Sequence, residues 1–162
     1  MLAGCAMSPR LPPSPATGGA SWRMAPPGMV RYQLAIGEVS SGAVPLRRTL
    51  PIYPPGQLAA CLAPVDVQAR LVVDRQGKVG EARVADAGHA NATRRLFIAA
   101  VRAAAKQWQF IPLQVSRWAA DADGNSHLVD TQSEPFSRVY VFHFECHAGQ
   151  PAVTADAVSS KY

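Results

Sequence analysis

No run of this chain approaches the roughly 18 consecutive apolar residues that a membrane-spanning helix requires, so no spanning helix is expected within these residues. The local patterns that carry enzyme chemistry are missing too. There is no H-E-x-x-H, no glycine-rich phosphate loop and no strained Ser turn. Serines, histidines and aspartates are scattered over expected loops, so no enzymatic activity is expected. Acidic residues are scarce: 11 Asp+Glu stand against 16 Lys+Arg, giving a charge of +5. That imbalance suits an anionic partner or lipid surface. Most of the basic residues are arginine and alanine is abundant, a pairing that also accompanies GC-rich genomes. Cysteine is sparse as well. Three cysteines exclude a disulfide-dense scaffold and allow one intramolecular pair with one residue left over.

What is present is enough for one core. A chain of 162 residues with 48% hydrophobic content fits a single domain. Proline and glycine mark its limits. Residues 6–28, within "AMSPRLPPSPATGGASWRMAPPG", are proline-rich and aperiodic, and are expected to form an extended linker. Val30, Tyr32, Leu34 and Ile36 then alternate with Arg31, Gln33 and Ala35, a strand pattern that ends at Ser40-Ser41-Gly42. Residues 29–147 are expected to be the folded domain. The tail at 148–162 carries small, polar residues with little to bury and is expected to be disordered.

The best pattern lies in the middle. Val65, Val67, Ala69, Leu71 and Val73 alternate with Asp66, Gln68 and Arg70, the period of a half-buried strand. "DRQG" at 74–77 is a hairpin turn, and the second strand follows over 78–85. The apolar phase slips between Val79 and Ala82, which a β-bulge near Gly80 explains. "AGHANAT" supplies a turn and a helix cap, Asn91 or Thr93, with His89 a solvated turn residue. Phe97, Val101, Ala104 and Trp108 recur at helical spacing and are expected to be core. Arg95, Arg102 and Lys106 occupy another face. Without interleaved aromatics that face is not a nucleic-acid platform. Pro112 ends the helical region. A last strand is expected over 137–145, with Tyr140, Phe142 and Phe144 on one side and Val139, Val141 and His143 on the other. The fold class expected is α+β: strand, strand, helix, strand, with one helix on one face of a small antiparallel sheet.

Residues 114–135 interrupt that order. "SRWAADADGNSHLVD" reads as an inserted hairpin with Trp118 and Leu128 on its arms. Asp121, Asp123 and Asn125 have calcium-loop spacing, but Gly124 comes two positions early and no closing Glu follows, so a plain turn is expected. His143, Cys146 and His147 in "HFECH" have ligand residue types without paired spacing. No metal or cofactor is expected.

Two resemblances give these elements a meaning. "LAGC" at 2–5 resembles the lipobox of bacterial lipoproteins, in which a peptidase cuts before the cysteine and Cys5 would carry the lipid. No basic and apolar signal precedes it here. The match therefore implies translation from upstream of Met1, and the other reading is coincidence. Ala6 rather than Asp follows the cysteine, which in that family implies transfer to the outer membrane. Secondly, "PIYPPGQLAACL", "VDRQGKVGEARV", "VRAAAKQWQFIPL" and "VYVFHF", in that order over residues 46–145, resemble the TonB C-terminal domain. The carrying residues are Pro51, Tyr53, Pro54, Asp74, Gly77, Val79, Trp108, Phe110 and Pro112.

The resemblance implies a periplasmic, non-enzymatic domain whose last strand lies at a sheet edge and takes up an extended segment of an envelope protein, such as a TonB-dependent outer-membrane receptor. Residues matched to that role are Leu50, Pro51, Tyr53 and Pro54 before the short helix, and Val139, Val141 and His143 on the last strand. The other reading is that the strand at 30–36 covers that edge. Family topology also brings Cys61 near Cys146, so an oxidising periplasm would let them pair, the alternative being two separate thiols. The chain departs from an energy transducer in having Leu50 where such proteins carry a polar Gln, in the insertion at 114–135, and in showing no spanning helix. A transducer whose membrane segment precedes Met1 is the alternative function.

Overall fold

Strict alternation builds the centre of the fold in the computed structural model, which describes residues 34–158. In β3 (Val65–Val73), Val67, Ala69, Leu71 and Val73 are buried while Asp66 and Gln68 are exposed. Asp74 then closes the turn. Its carboxylate accepts from the backbone N–H of Gln76 and of Lys78, both at 2.9 Å. Gly77, at φ +82°, carries the chain into β4 (Val79–Val84). The β3–β4 register shifts between Val72 and Val73, opposite Glu81 and Val79, which is the bulge expected at Gly80.

A short 3₁₀ turn at Ala87–His89 leads to α2 (Ala92–Ala105), following a one-turn α1 (Pro55–Leu58) earlier in the chain. Asn91 is the cap: its side chain accepts from Arg94 N–H at 2.8 Å. The buried face of α2 is Phe97, Ile98, Val101, Ala104 and Ala105. It lies on the sheet face that carries Tyr140, Phe142 and Phe144 of β8 (Phe136–His147). Phe97 meets Phe144 edge-on at 5.0 Å, and Trp108 meets Tyr140 at 4.8 Å and Phe142 at 5.7 Å. Edge-to-face pairs of this kind contribute about 0.5–1.5 kcal/mol beyond burial.

The main sheet is antiparallel with strand order β4-β3-β8-β9, where β9 is Gln150–Ala157. Two smaller sheets accompany it. One pairs β2 (Pro45–Arg47) with β5 (Gln109–Phe110); the other has order β1-β6-β7, from Glu38–Ser41, Leu113–Ala120 and Ser126–Glu134. The inserted hairpin is thus present as β6 and β7, with Trp118 opposite Leu128. Its Asp121 carboxylate accepts from Asp123 N–H, Asn125 N–H and the Asn125 amide, so turn hydrogen bonds occupy it. The chain is mixed α+β. No helix among the described residues is long and apolar enough to cross a membrane.

Three expectations are corrected. The tail is not disordered through 150–157: it pairs with β8 along its whole length, from His147↔Gln150 to Tyr140↔Ala157. Ala148 and Gly149, at φ 49° and 79°, form the two-residue turn that sends it back. No strand runs through 34–36; that stretch enters a turn closed by Glu38 N–H to Ala35 O at 3.0 Å, and the first strand starts at Glu38. Gly37 is needed there, since a Cβ would sit 2.7 Å from Trp118 O. Lastly, the strand at 137–145 is not an edge. Cys5 and the linker at 6–28 lie outside the described residues.

Candidate functional site

The sheet's true edge follows from hydrogen-bond phase. Val158 N–H donates to Val139 O at 2.9 Å. In an antiparallel pair such bonded positions alternate, so the even-numbered residues of β9 bond inward to β8. Odd-numbered Val153, Ala155 and Ala157 therefore aim N–H and C=O outward, and Pro151 has no N–H to aim. Among the described residues no strand pairs with this edge. The opposite edge, β4, is less suited to receive a strand. Its bulge twists it, and the charged Glu81 and Arg83 stand along it.

The residues matched to peptide capture are redistributed. Pro51, Tyr53 and Pro54 are buried; Tyr53, 5% exposed, packs its ring on Phe97 and Phe144 and so belongs to the core. Leu50 is exposed at 47%, and so is neighbouring Ile52 at 79%, which the sequence pattern did not single out. Val139, Val141 and His143 do not line a free edge. They are half-buried between β3 and β9, with their side chains on the sheet face away from α2.

That open face has its own chemistry. His143 Nδ1 lies 2.7 Å from Asp66 on β3, and its Nε2 lies 3.6 Å from Asp156 on β9, so one imidazole ties three strands. Arg94 bonds Asp86 and the Asp66 carbonyl from the end of the face. The Arg94 guanidinium beside Asp86 holds that carboxyl below its usual range, as Arg83 does for Glu81. A groove of about 650 Å³ runs between these pairs. Cys61 and Cys146 come together at the far end: their sulfurs are at bonding distance, 2.02 Å, with Cα atoms 5.3 Å apart.

Neither β9 nor Arg70, the central basic residue of the open face, was singled out from the sequence as a site. Val153, Ala155 and Ala157 do alternate with Thr154 and Asp156, but such small side chains give a faint period. Among the described residues no cluster of three or more His, Cys, Asp or Glu is arranged to hold a metal ion. No family model matches the chain, and no curated protein or solved structure matches it at a significant level.

Proposed function

We propose that this chain is a non-enzymatic periplasmic envelope protein whose TonB-like domain takes up an extended segment of another envelope protein as an added strand. The observation that carries this reading is the outward backbone of β9 at Val153, Ala155 and Ala157, placed beside β8, which is paired on both sides. The edge is thereby moved from 137–145 to 151–157. Two further features support it. The order of motifs over 46–145 resembles the TonB C-terminal domain, and the Cys61–Cys146 link holds the end of β8 to the α1 segment. A template already ordered loses less entropy on binding a strand. Lipid on Cys5, with residues 6–28 as spacer, would tether the domain, the outer membrane being favoured by Ala6.

The test uses the periplasmic segment of a TonB-dependent receptor as a synthetic peptide. Amide exchange by NMR should show the N–H groups of Val153, Ala155 and Ala157 slowing together when the peptide is added. Val153→Pro, which removes one outward donor, should abolish binding while the protein stays folded. A peptide that binds the variant equally well, or protects none of those amides, would overturn the reading. Anchoring is checked separately with the full upstream reading frame. Wild type should fractionate with membranes and Cys5→Ser with the soluble periplasm; equal partition of the two removes the lipid from the proposal.

A further inference from the structure

Arg70, on the inner strand β3 of the open face, has no counter-charge among the described residues. Its direct partner on β4 is another arginine, Arg83, and its partner on β8 is Val139. Like charges placed opposite one another destabilise a sheet. Arg83 is neutralised, since both its Nε and its Nη2 reach Glu81 at 2.8 Å. Arg70 is not: among the described residues it forms no ion pair, and its buried Nε donates to nothing. A buried donor left unmade costs about 1–3 kcal/mol. Residues 1–33 and 159–162 contain no Asp or Glu, so no acidic side chain from those segments answers it.

Both Arg70 and Arg83 line two neighbouring grooves, and the grooves differ in chemistry. The larger holds Asp66 and Asp86, whose carboxylates already meet the His143 imidazole and the Arg94 guanidinium. The smaller, about 400 Å³, has no carboxylate in its wall. Its apolar lining comes from Ala43, Val72, Leu113, Pro135 and Phe136, and Ser137 and the exposed Arg138 complete the wall. A largely apolar concavity of this size with an unanswered buried donor in its wall is the usual form of a small-molecule site. A guanidinium presents parallel N–H groups that match a planar carboxylate. The unanswered N–H at the groove's buried side calls for an anionic acceptor, the exposed Arg138 at the wall favours the same sign of charge, and the apolar wall calls for a hydrocarbon body.

We propose that this groove binds an alkyl monocarboxylate, with the carboxylate on Arg70 and the chain against Val72, Leu113 and Phe136. The site is separate from the strand-addition edge. A segment added outside β9 lies three strand spacings from β3, about 14 Å, beyond the span of an arginine side chain.

Dodecanoate titrated into the 162-residue chain by calorimetry tests this, with acetate and dodecyl maltoside as charge-only and chain-only controls. Wild type should bind dodecanoate saturably, with a dissociation constant below about 1 mM. The controls should bind far more weakly. Arg70→Gln should weaken dodecanoate binding by about tenfold or more, while Arg83→Gln should leave it nearly unchanged. The Arg70 Nε–H signal of the wild type should shift on titration, a readout that needs no variant if Arg70→Gln fails to fold. Three outcomes overturn the proposal: no saturable binding, equal binding by Arg70→Gln, or acetate or an acidic peptide binding as tightly as dodecanoate.

Discussion

Trp108 shows how a single side chain can be read twice and mean one thing. It closes the helical face begun by Phe97 and Val101, yet it lies beyond α2, in the segment entering β5. Only 1% of it is exposed, and its indole N–H donates to Thr49 O at 2.7 Å. Trp108→Ala should therefore lower unfolding stability by about 3–5 kcal/mol, measured by urea denaturation; a variant that melts like the parent would show the residue is no anchor. Tyr140 gives a second residue-scale prediction. Burial pushes its hydroxyl pKa up, against the opposing charges of Arg138 and Arg48. Folding thus favours the neutral phenol. Its contribution is whole below the unfolded pKa of about 10 and is lost as pH rises through the higher folded value. Tyr140→Phe should melt like wild type at neutral pH and lose less stability above about pH 10. An identical alkaline decline in both proteins would mean the phenol is not responsible. Tyr53 was harder to read than either. Its neighbours Phe97 and Phe144 are remote in sequence, so a Tyr-Pro pair matched to docking gave no sign that the ring is core.

Among the elements, β9 decides how the sheet presents itself. By the hydrogen-bond phase of β9, Thr154 N–H faces His143 on β8 and Val153 N–H faces outward. Thr154→Pro should then cost about 1–3 kcal/mol more than Val153→Pro, since only the former breaks a ladder bond. Equal losses in urea titrations would reverse the phase and with it the edge. The β3–β4 hairpin and its bulge were legible because large apolar residues mark every second position and the slip at Gly80 is visible in their phase. The β9 strand was not. Its buried residue is Ala155, its turn is Ala148-Gly149 rather than Asn-Gly, and its order comes from pairing with β8. The strand pattern at its described end, 34–36, shows the opposite case. Alternation reaches Ile36 in the sequence, but a turn into Gly37 takes the place of a strand there.

At the scale of the whole molecule, one covalent link joins regions that the chain order keeps far apart. Cys61 follows α1 and Cys146 closes β8, with 85 residues of separation between them. The link sits at the end of the sheet where Tyr53, Phe97 and Phe144 meet, so it ties the α1 segment to the strand that bears β9. A cross-link over a loop of that length restricts the unfolded chain and contributes up to about 4–5 kcal/mol in the loop-entropy picture. Reduction should lower the unfolding midpoint accordingly. The earliest amides to lose protection should be those of β9, since among the described residues its only strand partner is β8. Thiol labelling of unreduced protein should leave Cys61 and Cys146 unmodified, and after reduction in denaturant both should react. Cysteine-reactive label on both residues before reduction would break this account, and the ordered template argued for strand addition would lose its covalent support.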